Sequence, residues 1–381
     1  MRWFAMVLTA ALGACAPGAA APDATPDAPA IADASPSDQL TANPLLSRGR
    51  PVTSSEGASS SAGPVASLVD GAFLIGDGFA APVDAAHAPW VAIDLGAGPS
   101  RILVTFLAEG EVAHAPGRTP VDYHLETSPD GATWHTALTV TGNDTNARAH
   151  AIDFTGQAHV RLVIDRAGAT GDVHLIELEA YDASRGTDDT WLFLGDSITA
   201  MAMNRYVVPD LATRLHAARP DHTPLVIDAA IGGSQTSFAL APDPEANGRV
   251  PLDTWIARFP DVRNVVVAYG TNDAGCDPTG AGAPAFAANL GRIVDTLRAA
   301  GKRIVIPHIP WNHWSGCAGT DLVPYDAAID ALRARDVLAG PDLTTYFTAH
   351  PDQLFDGVHP DDAGVAAINQ LWADALAPLY P

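Results

Sequence analysis

Four short stretches hold residue types suited to acyl transfer: Gly195-Asp196-Ser197, Gly232-Gly233, Gly270-Thr271-Asn272-Asp273 and Asp356-Gly357-Val358-His359-Pro360. A serine hydroxyl is a poor nucleophile at neutral pH, so it needs a base within hydrogen-bond reach to take its proton as it attacks. His359 is the natural base. Asp356, three residues earlier, is placed to accept from the other ring nitrogen, which fixes the tautomer and steadies the imidazolium. Ser197 by itself would equally suit a helix N-cap, and His359 before a proline would equally suit a turn. Asp356 at triad spacing from His359 favours chemistry over both. Asp196 and Asp273 read as acids that order their loops.

These stretches need a scaffold that brings distant residues together. From Thr190 onward strand and helix alternate, which implies a parallel sheet covered on both faces. The strands read as "TWLFLGDS", "TPLVIDAAIGG", "RNVVVAYGTND" and "KRIVIPHIPW", with a shorter fifth around "DLTTYF", in a sheet ordered 2-1-3-4-5. In "PAFAANLGRIVDTLRAAG" the residues Phe286, Leu290, Ile293, Val294 and Leu297 recur at helical steps, and Gly301 suits a C-terminal cap. Val365, Ile368, Leu371, Trp372 and Leu376 repeat the pattern in the last helix. The first three reactive stretches each fall at the carboxyl end of a strand and the fourth follows the fifth strand, where open α/β sheets gather their sites.

In this order and frame, the four stretches resemble the blocks of the SGNH (GDSL) hydrolase family, over residues from about 190 to 381. The resemblance implies a three-layer, flavodoxin-like α/β domain and an esterase with Ser197, His359 and Asp356 as catalytic residues. It assigns the oxyanion hole to the backbone N–H groups of Ser197 and Gly233 and the side-chain amide of Asn272. Gly233 is preferred to Gly232 because it directly precedes the polar run Ser234-Gln235-Thr236. No cofactor is required for that chemistry.

Cys276 and Cys317 follow the third and fourth strands, neighbours in the expected sheet, so an exported protein would join them in a disulfide. His308 and His313 flank the end of the fourth strand; core or surface roles are expected of them, and their spacing does not suit zinc.

The front half has a different grammar. Arg2, the apolar run Trp3 to Leu12 and Leu12-Gly13-Ala14-Cys15 resemble a lipoprotein signal peptide ending in a lipobox, with Cys15 the lipidated residue. Ala16 after it resembles the outer-membrane type. Residues 16–44, rich in Ala, Pro and Asp, bury too little apolar surface to fold and read as a disordered tether. From 45 to 183 short β-rich runs alternate with turns, as in "SPDG" at 128–131, which predicts a hairpin. The order "GRPVTSS", "LVDG", "WVAIDLG", "YHLETSPDGATW", "HVRLVI", "IELEAY" resembles the discoidin, or coagulation-factor type C, module: a galactose-binding-like jelly-roll β-sandwich, often used to bind sugars. The resemblance implies core positions for Trp90 and Trp134, and a ligand rim for which Phe79, His87, His114 and Arg118 are candidates. It also suggests a structural calcium near Asp70 and Glu179.

With 21 Lys+Arg against 44 Asp+Glu, the chain carries a formal charge of −23, which disfavours nucleic acid and anionic lipid as partners. The expectation is a monomeric, multidomain, surface-tethered serine esterase that deacetylates O-acetylated carbohydrate, touching the membrane through its lipid anchor only. A lipase or lysophospholipase would use the same residues, and a non-catalytic carbohydrate-binding surface protein would need a broken constellation.

Overall fold

The computed structural model describes residues 39–73, 76–109, 117–204, 209–240 and 250–381. The leader, Cys15, the tether as far as residue 38, and His114 lie outside these residues.

The first domain is a β-sandwich. Its strands are β1 (Val52–Ser54), the short pair β2 (Ser59–Ser60) and β3 (Gly63–Pro64), β4 (Phe79–Pro82), β5 (Trp90–Asp94), β6 (Arg101–Ala108), β7 (Pro120–Ser128), β8 (His135–Val140), β9 (Ala147–Asp153), β10 (His159–Ala167) and β11 (Asp172–Asp182). They form a five-stranded sheet ordered β1-β5-β10-β7-β8 and a four-stranded sheet ordered β4-β11-β6-β9, both antiparallel. Alternate residues of each sheet, among them Val91, Ile93, Tyr123, Leu125, Leu162, Ile102, Val104, Phe106 and Leu178, fill the space between them. The expected hairpin joins β7 to β8. Ser128 Oγ accepts from the Gly131 N–H (2.9 Å) and Asp130 Oδ1 from those of Ala132 and Thr133 (2.9 and 2.8 Å). The last two N–H groups draw the exposed Asp130 carboxyl down to about 2.

The second domain is a parallel sheet ordered β13-β12-β14-β15-β16, from β12 (Thr190–Gly195), β13 (Leu225–Asp228), β14 (Asn264–Ala268), β15 (Arg303–Ile306) and β16 (Leu338–Ala339). This is the 2-1-3-4-5 order read from the sequence. Helices α1 (Ser197–Ala202), α2 (Leu211–Ala218), α3 (Thr236–Leu240), α4 (Leu252–Arg258), α5 (Thr271–Ala274), α6 (Ala283–Ala299), α7 (Val323–Ala331), α8 (Leu343–Ala349) and α9 (Asp362–Leu376) surround it. Helix α6 buries the predicted stripe and ends where Gly301, at φ +70°, turns the chain so that the Lys302 N–H reaches the Leu297 carbonyl. One element differs from expectation. "DLTTYF" is not a strand but the start of α8, because Asp342 caps it, accepting from the Thr345 N–H at 2.9 Å. The fifth strand lies just before it, at β16.

The two domains share a packed boundary. Ala147, Ala149 and Ala151 on the outer face of β9 make a smooth strip that, with Leu103 and Tyr181, joins the apolar cluster of Leu252, Trp255, Phe259 and Val262. Asp261 accepts from the Ala151 N–H at 2.9 Å and meets Arg101 at 3.5 Å. Residues 40–44, read as the end of the tether, are instead docked: Leu40 is buried in the core of the second domain and its N–H meets the Leu379 carbonyl at 2.7 Å. Asn43 is a buried pin. Its amide donates to the carbonyls of Asp182 (2.9 Å) and Gly186 (2.6 Å), and its oxygen accepts from the Asp189 N–H (2.9 Å).

Several expectations for the sandwich are corrected. Trp90 and Trp134 are not core. Both are half-buried on the outward face of the five-stranded sheet, where the Arg161 guanidinium lies 5.3 and 4.3 Å from their rings and pairs with Glu126. The alternation that sends Val91 and Ile93 inward sends Trp90 outward. Phe79 is fully buried between the sheets and is no rim residue. Arg118 is committed to Glu109 (3.2 Å) and Asp172 (3.0 Å), and His87 to Glu56 (2.9 Å). Glu179, expected with Asp70 near a structural calcium, is held by protein groups. The Arg48 guanidinium packs against Gly71 and reaches Glu179 Oε1 at 3.5 Å, while Glu179 Oε2 accepts from the Tyr181 hydroxyl at 2.8 Å.

Replacing Asn43 by Ala orphans two half-buried carbonyls and one buried N–H, so N43A should lose about 1–3 kcal/mol of unfolding free energy in urea titration.

Candidate active site

Strand β12 ends at Gly195 and the chain turns into α1. Asp196 is the cap, its carboxylate accepting from the Ile198 N–H at 3.0 Å. The capping role therefore falls to Asp196, which leaves the Ser197 hydroxyl free of it. Ser197 Oγ lies 2.9 Å from His359 Nε2, and His359 Nδ1 lies 2.8 Å from Asp356 Oδ2. Burial alone would raise the Asp356 carboxyl, but the His359 N–H and ring and the Val358 N–H outweigh it and hold it below the usual carboxylate range. An ionised carboxylate only accepts, so Nδ1 carries the ring proton and Nε2 is left to accept from Ser197. Asp356 Oδ1 takes the backbone N–H groups of Val358 and His359 at 3.0 and 2.8 Å, which folds the loop around its own side chain.

Gly357 inside that loop has φ +83°, and a Cβ there would fall 2.5 Å from the His313 carbonyl oxygen. The His313 N–H in turn donates to the Gly357 carbonyl at 2.7 Å. His313 thus braces the Asp356–His359 loop through its backbone, while its side chain is exposed. Cys276 and Cys317 are bonded, as expected, with Cα atoms 5.6 Å apart. The bond ties the loop after β14 to the loop after β15, helped by Thr320 Oγ1 donating to the Gly275 carbonyl at 2.6 Å.

The expected oxyanion groups line the same end of the sheet. Ile231 to Ser234 form a turn closed by the Ser234 N–H on the Ile231 carbonyl at 3.2 Å, with Gly233 at φ +72°. A Cβ on Gly232 would lie 3.8 Å from that of Ser197, so this turn passes directly beside that hydroxyl-bearing side chain. Asn272 Nδ2 donates to the Ser234 carbonyl at 3.0 Å, which spends one of its two N–H bonds and leaves the other for a ligand. Asp273 clamps the two loops, accepting from the Thr236 N–H at 3.0 Å and from its hydroxyl. Gln235 Nε2 adds a bond to the Asn272 carbonyl at 3.1 Å. Asp196 and Asp273 order loops, as read from the sequence. Burial pushes Asp196 up to about 7, with the charge of nearby Asp273 adding to it, and burial also raises Asp273.

His308 proves to be a strut. Nε2 meets Asp330 at 2.9 Å and Nδ1 meets Asp342, the cap of α8, at 3.3 Å. The Asp342 bond first, then Asp330 and the charge of Asp326, push its pKa up to about 9 against the cost of burial.

The assembled groups are a hydroxyl bonded to an imidazole, a carboxylate on the other ring nitrogen, and an amide side chain on the neighbouring loop. Residues 193–367 match the family model described as GDSL-like lipase/acylhydrolase. They form a GDSL-like acylhydrolase domain. The hydrolase domain spans β12 to α9 and is that of a serine ester hydrolase. No curated protein matches the chain. Among solved structures, protein YxiM of Bacillus subtilis is 15% identical, covering 78% of this chain and 86% of its own at a TM-score of 0.42. An acetyl xylan esterase of Geobacillus stearothermophilus is 18% identical over 51% of this chain and 95% of its own, at 0.37. A chitosan-binding module of a Paenibacillus chitosanase/glucanase is 22% identical over 36% of this chain and 98% of its own, at 0.29.

Ser197, His359 and Asp356, singled out in the sequence, are brought together, while the groups that support them were missed. Gly357 was visible as a glycine within the motif; the His313 brace, the Asp273–Thr236 clamp and the His308 strut join residues whose proximity only the fold creates. A pKa raised in the folded state stabilises below the unfolded value of 6.5 and loses that contribution as pH climbs through about 9. H308Q should therefore be less stable than the parent by about 2–3 kcal/mol at pH 6, with the gap closing toward pH 10 in denaturant titrations.

Proposed function

We propose that the hydrolase domain cleaves acetyl esters of carbohydrates by a Ser-His-Asp mechanism. The observation that carries the reading is the hydrogen-bonded series from Ser197 Oγ through His359 to Asp356, at 2.9 and 2.8 Å. As Ser197 Oγ attacks the ester carbon, its proton passes to His359 Nε2, and the carbonyl oxygen gains charge facing the N–H groups of Ser197 and Gly233 and the free amide N–H of Asn272. Collapse of this intermediate breaks the bond to the alcohol, which leaves with the proton from His359. Water, deprotonated by the same ring, then attacks the acyl-serine and releases the acid. Side chains and backbone of one chain supply every group these steps use, so a monomer suffices.

Support for a carbohydrate substrate comes from the front domain, which resembles discoidin-type modules and packs against the hydrolase domain through a shared apolar boundary. A sugar-binding partner held this firmly would keep the site near a polymeric substrate. We also propose export as a lipoprotein anchored at Cys15, on the strength of the leader sequence.

Hydrolysis of nitrophenyl acetate, nitrophenyl decanoate and acetyl-xylan tests the reading. S197A should abolish turnover, D356N should lower kcat by roughly 10²–10⁴-fold, and N272A by about 100-fold. Decanoate preferred to acetate would overturn the acetyl reading, and an active S197A would overturn the mechanism. In a bacterial host, metabolic labelling with palmitate should mark the full chain and leave C15S unlabelled.

A further inference from the structure

Phe355 directly precedes Asp356 in the loop that carries His359. It is 64% exposed, one of two large apolar side chains so exposed among the described residues. Its backbone N–H is fixed to the His359 carbonyl at 3.0 Å, and its ring lies alongside the His359 imidazole, centroids 5.9 Å apart and planes 22° apart. One edge of the ring therefore meets the base while most of its surface faces solvent at the mouth of the site.

The chemistry fixes which half of the substrate passes over it. The leaving alcohol takes its proton from His359 Nε2, so the alcohol oxygen must sit at that nitrogen, whereas the acyl oxygen turns toward Gly233 and Asn272. The alcohol thus spreads over the imidazole and onto the surface that continues it. Resting on the esterase reading above, we infer that Phe355 is a specificity residue: a platform for the ring of the alcohol, of a size and polarity suited to the C–H face of a pyranose.

The test uses acetates of three alcohols, methanol, cyclohexanol and a methyl xylopyranoside, together with methyl butanoate. In F355A the kcat/KM ratio of each ring acetate to methyl acetate should fall about five- to tenfold, mainly through KM, and F355W should retain it. The butanoate-to-acetate ratio should move less than twofold. An alcohol ratio that F355A leaves unchanged, or an acyl ratio that moves in its place, overturns this inference while leaving the esterase reading intact. A parent protein that hydrolyses none of these esters overturns both.

Discussion

A hydrogen bond between groups 162 residues apart, Ser197 and His359, is the constraint on which the rest of the site depends. Proton transfer needs the two atoms within a few tenths of an ångström of ideal separation, so loops that drift would lose the chemistry before they lost the fold. The parallel sheet sets Ser197 at the end of a fully buried central strand. The Asp356–His359 loop has no such strand beneath it. It is held by its own acid, by the backbone of His313 and by the start of α9, whose cap Asp361 accepts from the Gly364 N–H at 2.9 Å. His313 belongs to the loop that the disulfide joins to the oxyanion side, so covalent and hydrogen-bonded ties run from one half of the machinery to the other.

This rigidity coexists with an unfavourable charge arrangement. Two carboxyl groups, Asp196 and Asp273, are drawn inside beside the nucleophile, and their desolvation and mutual repulsion work against stability. Each accepts hydrogen bonds from the first turn of a short helix, α1 or α3, that carries or follows a catalytic loop. Strong local acceptors placed where loops must not move are a common exchange of stability for geometry at enzyme sites.

The boundary between the domains is built from small residues. Alternate alanines on β9 admit Trp255 and Phe259 closely, and Asn43 laces the chain ahead of the sandwich to the connector behind it. The ordered segment enters beside Leu379 and Asp188, at the amino ends of the parallel strands. The catalytic groups sit at the carboxyl ends.

The strands β12 to β15, the helices α6 and α9, and the stretches that hold Ser197 and His359 were legible because each is written in local pattern: buried apolar runs, a 3.6-residue stripe, a hydroxyl and an imidazole in recognisable settings. The disulfide was legible because the third and fourth strands, each with a cysteine just past its end, were expected as sheet neighbours. Misreadings arose where the deciding partner lay elsewhere. "DLTTYF" has β-prone residues, yet Asp342 as a cap made it α8. Trp90 and Trp134 were expected in the core from the resemblance, yet strand phase set Trp90 outward, and Trp134, just before β8, shares the Arg161 guanidinium with it. The sequence by itself determined the elements and the chemical types, since propensity, periodicity and side-chain reactivity act over a few residues. Only the tertiary structure decided which carboxylates meet cations, which aromatic rings face solvent and which backbones brace the catalytic loop, because those depend on distances between segments that no local pattern encodes.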